Sequence, residues 1–336
     1  MENNFAIIGN GSWATALAKM LTHNNLIVNW WMRNEEAKEH FESHHHNLHY
    51  LSSVNFAPNS IRPSTDLNHV IQNSKNIIIC VPSAYLQPLL LQLPQDIFQN
   101  KNIISAVKGI LPDHHQLLND FLYDHFHFQK ENYFAISGPC HAEEVAQERL
   151  SYLTFSGENI ERTATIAKNF NTPFIQTSTN NDIYGTQYAA VLKNIYALGA
   201  GIAHGLGYGD NFLSVYITNC YREMYEFLKH HFEKNCVEKN CPDFHTSAYL
   251  GDLLVTCYSP HSRNRRFGSL LGKGYSIQAA SAEMNMVAEG YNAAKGMYEI
   301  AQEHQIPLPI CELIYDMLWN HKKLTFTFRK MESLLS

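Results

Sequence analysis

Three segments of the chain hold residues able to move a proton and hold an anion. Lys193 interrupts an otherwise apolar stretch, YAAVLKNIYALGAGIA (188–203). Its helical neighbours three and four positions away are Ala189, Ala190, Tyr196 and Ala197, none of which can pair with it. Such a lysine either snorkels from a core helix or sits in a pocket, where desolvation and a second cation lower its pKa toward the range useful for proton transfer. Lys108 follows the apolar run NIISAV (102–107) and precedes Gly109. Asp252 stands eleven residues before Arg263, which Asn264, Arg265 and Arg266 follow. An acid beside lysines can orient a protonated amine, and an arginine with an amide neighbour suits a phosphate dianion.

A fourth segment supplies phosphate chemistry of another kind. IIGNGSWATALA places Gly9, Gly11 and Ala14 as G-x-G-x-x-A between a predicted strand and a predicted helix. The first glycine permits the tight turn, the second admits a pyrophosphate to the backbone, and the small third residue allows close helix–strand contact. Together with the lysines this describes hydride transfer between a nicotinamide dinucleotide and a small phosphorylated ketone. An acid at the end of the second strand usually binds the ribose 2′-hydroxyl of NAD, but here Arg33 stands near that place, with Glu35 and Glu36 just beyond. Arg33 is either a 2′-phosphate and adenine contact, which makes NADP acceptable beside NAD, or a solvated loop charge.

The elements that must position these residues follow from apolar patterning. Continuous runs at 4–9, 26–31, 76–81, 102–107 and 133–137 predict buried strands, and 151–157 and 173–178 complete the set. Helices are predicted for 12–23, 66–73, 84–93, 112–125 and 160–170. Alternating strands and helices imply an α/β fold, a Rossmann-like doubly wound parallel sheet whose ligands lie beyond the carboxyl ends of its strands. From about Asn181 the texture becomes helical, at 184–203, 211–230, 276–304 and 309–318, so a nucleotide-binding domain at 1–180 and an all-helical domain at 181–336 are expected. Their boundary is placed between 178 and 186, and the His/Lys/Cys-rich stretch 229–247 reads as a surface excursion.

Composition narrows the function classes. Among 336 residues, 25 Lys+Arg against 31 Asp+Glu leave a net charge of −6, and no basic tract marks a nucleic-acid partner. No window reaches the ~18 apolar residues of a membrane span, and the N-terminus lacks a signal-peptide pattern, so a cytosolic protein is expected. The seven cysteines (80, 140, 220, 236, 241, 257, 311) are odd in number and never spaced C-x-x-C, which fits reduced thiols. His44, His45, His46 and His49 lack a completing ligand at metal-site spacing, so no metal is expected.

The motifs resemble those of bacterial-type NAD(P)-dependent glycerol-3-phosphate dehydrogenases. The matching pieces are GNGSWATALA (9–18), SAVKG (105–109), ISGPCHAEE (136–144), VLKNIYALGAG (191–201), LGDLLVTC (250–257), SRNRRFG (262–268) and VAEGY (287–291), in the family's order over nearly the whole chain. The resemblance implies a helical domain like that of 6-phosphogluconate dehydrogenase, a cytoplasmic homodimer, and interconversion of dihydroxyacetone phosphate and sn-glycerol 3-phosphate for phospholipid synthesis. By position it implies Lys193 as proton donor or acceptor, Lys108 as a lysine shared by substrate and cofactor, and Asp252 as the acid orienting them. Ser262, Arg263 and Asn264 would hold substrate, mainly its phosphate, and Gly138 and Cys140 would line its pocket. Gly9, Gly11, Ser12, Trp13, Arg33, Ala142, Arg263, Val287 and Glu289 would contact the cofactor. Departures from the family pattern are Ala14 for glycine, His141 and Glu143 in place of an aromatic and a basic residue, and SAYLGD before Asp252. Two rival readings share these features: a same-architecture reductase acting on a carboxylate such as ketopantoate, and a nicotinamide-sensing protein without catalysis.

Overall fold

The computed structural model describes residues 4–113, 115–235, 242–284 and 288–336. Val287 and the centre of the 229–247 excursion, with Cys236 and Cys241, lie outside the described residues. The chain divides into two compact units, Met1–Val107 with Leu117–Ile183, and Lys108–Gln116 with Tyr184–Ser336.

In the first unit the elements run β1 (Phe5–Ile8), α1 (Ser12–His23), β2 (Val28–Trp31), α2 (Glu35–His44), β3 (Ile61–Ser64), α3 (Leu67–Gln72), β4 (Asn76–Ile79), α4 (Ser83–Leu90), β5 (Asn102–Ser105), α5 (Leu118–Phe126), β6 (Tyr133–Ser137), α6 (Ala142–Ala146), β7 (Ser151–Ser156), α7 (Ile160–Lys168) and β8 (Ile175–Asn180). The eight strands form one sheet in the order β3-β2-β1-β4-β5-β6-β7-β8. All neighbours are parallel except β6 and β7, which pair antiparallel. The strand order reverses direction between β1 and β4, the place where sheets of this kind open a ligand crevice at their carboxyl ends. Phe5, Ile7, Ile78, Ile104, Phe134 and Phe155 are fully or nearly fully buried in the core around the sheet.

Several elements differ from the sequence expectation. β3, whose sequence is IRPS, has no apolar run, and it tolerates Pro63 because it is an edge strand paired only with β2. α2 buries only Ala37 and Phe41, one turn apart, and owes its start to Asn34, whose side chain accepts from the Ala37 N–H at 3.0 Å. The helix expected from 112 begins only at Leu118, because Lys108–Gln116 leaves the sheet and joins the second unit.

The second unit is helical: α8 (Ile183–Gly205), α9 (Asp210–Asn235), α10 (Asp252–Tyr258), α11 (Arg263–Gly272), α12 (Ile277–Glu283), α13 (Glu289–His304), α14 (Pro309–Leu318) and α15 (Leu324–Leu334). The single stretch expected over 276–304 is two helices, α12 and α13. α8 is buried along most of its length, as its small residues allow. The carboxylate of Glu223 on α9 is buried and accepts from Tyr196 Oη on α8 at 3.0 Å and from the N–H groups of Ile310 and Cys311 at 2.7 and 3.0 Å. It thereby caps α14 and ties three helices together, while burial pushes its pKa up to about 7. Among the described residues, no helix is long and apolar enough to cross a membrane.

Candidate active site

In the second unit, Lys193 on α8 is 4% exposed and Asp252, the first residue of α10, is 1% exposed. Lys193 Nζ donates to Asp252 Oδ1. A π-helical turn, Ser247–Gly251, delivers Asp252 to this position, and it occupies the SAYLG segment in which the sequence departs from the pattern it resembles. Thr256 Oγ1 donates to the Asp252 carbonyl one turn on. Burial lowers the Lys193 pKa to about 8, against the opposing pull of Asp252 and with the help of the neighbouring Lys108 cation. The ambiguity left by the sequence is thus resolved in favour of a buried, charge-paired lysine.

Lys108 reaches this pair as part of the second unit. Its carbonyl accepts from Asn194 Nδ2 at 2.9 Å, so the residue next to Lys193 fixes the backbone of the other lysine. Ser262 caps α11, its Oγ accepting from the Arg265 N–H at 3.3 Å, and Arg263 is the first helical residue. Asn264 Oδ1 accepts from the Gly290 N–H at 2.9 Å, which leaves its amide Nδ2 as the group able to donate to a ligand. Glu289 opens α13 beside Gly290.

Glycines set the spacing of these parts. A methyl group at Gly201 would stand 2.0 Å from the Arg265 carbonyl, and one at Gly268 would stand 2.0 Å from the Leu198 carbonyl. One at Gly290 would meet the Asn194 carbonyl at 2.5 Å. The backbones of α8, α11 and α13 therefore touch, and the start of α11 is held at a fixed place relative to Lys193.

The first unit holds the other candidates. Gly9 follows β1 with φ of +117°, and a methyl group there would come 3.0 Å from the Cys80 carbonyl beyond β4. Around Gly11, the N-cap of α1, a methyl group would meet nothing within 4 Å. No side chain caps α1 and its first turn has no acid, so the N–H groups of the turn through Ser12 and Trp13 suit a pyrophosphate. Ala14 is fully buried, which explains why a small residue suffices there. Asn47 Nδ2 donates to the Asn10 carbonyl and to Thr15 Oγ1, both at 2.9 Å, and so braces the turn. Gly138, also at φ +117°, ends β6 where a methyl group would come 2.8 Å from the Tyr152 carbonyl. Cys140 and Ala142 are buried just after it. Arg33 is exposed beyond β2, whereas Glu35 is engaged by Lys38 at 3.1 Å and by Thr65.

The family model for the NAD-dependent glycerol-3-phosphate dehydrogenase N-terminus matches residues 4–163, and the one for the C-terminus of the same enzyme matches residues 182–328. The chain belongs to this family. Against the glycerol-3-phosphate dehydrogenase [NAD(P)+] of Enterococcus faecalis it is 34% identical over 321 residues, 95% of this chain and 92% of that one. It is 35% identical to the enzyme of the same name from Bacillus pumilus, over 95% of this chain and 90% of the relative. The solved structure of glycerol-3-phosphate dehydrogenase from Coxiella burnetii shares the fold with a TM-score of 0.89 at 24% identity, covering 98% of both chains.

Within this glycerol-3-phosphate dehydrogenase family chain, sequence reasoning passed over Asn194, Thr256, Gly290 and Asn47. Asn194 was signalled by adjacency to Lys193 in LKN, and Gly290 by its place in VAEGY. Asn47, in a loop rich in histidine, carried no such signal. Among the described residues no group of three or more His, Cys, Asp or Glu is arranged to hold a metal ion. Cys220, Cys257 and Cys311 are free thiols.

Gly268→Ala drives a methyl group into the α8 backbone and should destabilise the protein by ~2 kcal/mol or more, read as a lowered thermal unfolding midpoint. Asp252→Asn removes the charge that holds the Lys193 pKa up against burial and Lys108. The ammonium is then lost at lower pH, so the alkaline limb of kcat for ketone reduction should move down; a limb that stays in place would disconnect Asp252 from Lys193.

Proposed function

We propose that the protein reduces dihydroxyacetone phosphate to sn-glycerol 3-phosphate, reversibly, with NADH or NADPH. The observation that carries the reading is the buried Lys193–Asp252 pair beside Lys108, at a site built with the start of α11. When bound along the Gly9–Trp13 turn, the nicotinamide cofactor supplies the hydride. As hydride reaches C2 of the ketone, negative charge develops on its oxygen, and the Lys193 ammonium donates a proton there. A pKa of about 8 leaves Lys193 mostly protonated at neutral pH yet able to give up its proton, as general acid catalysis requires. Lys108 stabilises the same developing charge, and Asp252 keeps Lys193 oriented and offsets the repulsion of two cations.

Ser262, Arg263 and Asn264 at the start of α11 would receive the phosphate, where a cation and free helix N–H groups act together. Gly138 and Cys140 would line the substrate pocket. Ser12, Trp13, Ala142, Arg263, Val287 and Glu289 would complete the cofactor contacts. Arg33, exposed and with Glu35 already engaged by Lys38 and Thr65, supports use of the 2′-phosphate of NADP as well as NAD. The family resemblance is the support for reading the protein as a cytoplasmic homodimer that supplies phospholipid synthesis.

The deciding assay follows NADH and NADPH oxidation separately with dihydroxyacetone phosphate, unphosphorylated dihydroxyacetone and ketopantoate. Turnover confined to the phosphorylated ketone is expected; preference for ketopantoate, or cofactor binding without turnover, would refute the reading. Lys193→Ala should lower kcat at least ~100-fold with cofactor affinity little changed, and near-normal turnover would remove Lys193 from the chemistry. Arg263→Ala should mainly raise KM for the phosphorylated ketone, so an unchanged KM would dispose of the phosphate clamp.

A further inference from the structure

Lys108–Gln116 connects two elements of the first unit, β5 and α5, yet it packs as part of the second. Three separate contacts hold it there. The Lys108 carbonyl accepts from Asn194 Nδ2 at 2.9 Å. Ile110, 3% exposed, lies over Gly296 on α13, where a methyl group would come 3.2 Å from Ile110 Cγ2 and 3.4 Å from its Cβ and Cδ1. His115 Nε2 pairs with Glu299 Oε2, one turn beyond Gly296 on the same helix. An antiparallel bridge between Leu111 and Gln116, with the Leu111 N–H donating to the Gln116 carbonyl at 2.9 Å, closes the segment on itself.

From these contacts we infer that Gly296 and Glu299 are positioning residues for catalysis: they clasp the 108–116 strap to α13 and thereby hold the Lys108 cation against Lys193. The inference rests on the reaction proposed above for its kinetic arm only. Gly296 is the residue type that lets Ile110 seat closely, and Glu299 fastens the far end of the strap, so α13 acts on the lysine pair without touching substrate.

The clasp has an electrical consequence. The groups acting on the Lys193 ammonium are Asp252 from α10 and Lys108 from the strap, and the Cys257 thiol of α10 is near enough to feel it. Asp252 holds the Lys193 pKa up and Lys108 pushes it down. Loosening the strap removes the downward push, so Lys193 keeps its proton to higher pH, opposite in sign to the loss of Asp252. Better hydration of Lys193 would push the same way, since burial is the largest cause of its lowered pKa, so the upward direction reads the loosening of the strap as a whole.

The test uses the full chain with Gly296→Val, which overfills the seat of Ile110, and Glu299→Gln, a half-exposed substitution that does not burden folding. Hydrogen exchange of the 108–116 peptide, which needs no catalysis, should quicken about 10-fold in Gly296→Val and about 2- to 5-fold in Glu299→Gln, the latter being the range for weakening one partly exposed side-chain contact. In the kinetic arm, Gly296→Val should lower kcat about 10-fold, leave KM for NADH unchanged and move the alkaline limb of kcat upward. Ile110→Ala in that background should recover part of the rate. Unchanged strap exchange in both variants overturns the clasp, and a limb that stays put or moves down while kcat falls overturns its action on Lys193. If the wild-type protein does not reduce dihydroxyacetone phosphate, the reaction fails while the exchange arm still decides the clasp.

Discussion

The second unit is organised around one ion pair taken out of water. Lys193 and Asp252 are both almost fully buried, and a lone charge at either position would be strongly unfavourable. Their pairing alone does not offset that desolvation, as the lowered Lys193 pKa shows. A structural salt bridge would be expected to match its charges and stop there. Here a third charged group, Lys108, is added on the unfavourable side, which makes sense when the surplus positive charge waits for a negative one to arrive or develop.

Holding two cations close together demands a rigid frame, and the frame is made of backbone contacts more than of side-chain packing. Gly201 and Gly268 let α8 and α11 meet carbonyl to Cα, and Gly290 does the same for α13 against Asn194. Contacts of this kind leave no rotamer to relax, so the residues at the start of α11 and the lysine on α8 keep their spacing. Glu223 extends the frame to α9 and α14, using one carboxylate to satisfy two helix-terminal N–H groups and a buried phenol. Gly201 of VLKNIYALGAG and Gly268 of SRNRRFG thus have a physical meaning beyond resemblance: each occurs where another backbone occupies the space of a side chain, whereas Gly199 makes room for the Tyr216 ring and hydroxyl.

Legibility from sequence followed the same division between strong and weak local signals. β1, the Gly9–Ala14 turn and α1 were legible because a buried strand, a glycine turn and an amphipathic helix adjoin without interruption. Lys193 stood out because nothing around it could pair with it, but its partner lies 59 residues on, and no periodicity links α8 to α10. β3 and α2 were missed because each depends on a neighbour: β3 on pairing with β2, and α2 on the Asn34 cap and two buried side chains. A helix is expected from 112 because the residues of 112–125 are individually compatible with one, yet the first of them belong to the segment that follows Lys108 into the second unit. What removes it from the sheet's unit is burial of Ile110 and Leu111 among helices far along the chain, and that is a tertiary preference.

The cofactor side shows how a local arrangement can leave specificity open. Selecting NAD over NADP takes a carboxylate free to accept from a ribose hydroxyl and to repel a phosphate at the same place. Glu35 sits in the first turn of α2, where the helix dipole favours it, and it already accepts from Thr65 and pairs with Lys38, which holds its pKa down. A carboxylate committed in this way repels a phosphate less, because part of its charge is already balanced. Arg33 precedes it as an exposed cation, which in the reading proposed above would stack on the adenine of either cofactor and add an ion pair to the 2′-phosphate of NADP. In that reading, tolerance of both cofactors would follow from where the acid's hydrogen bonds are made, which a one-letter reading of the strand's end does not reveal.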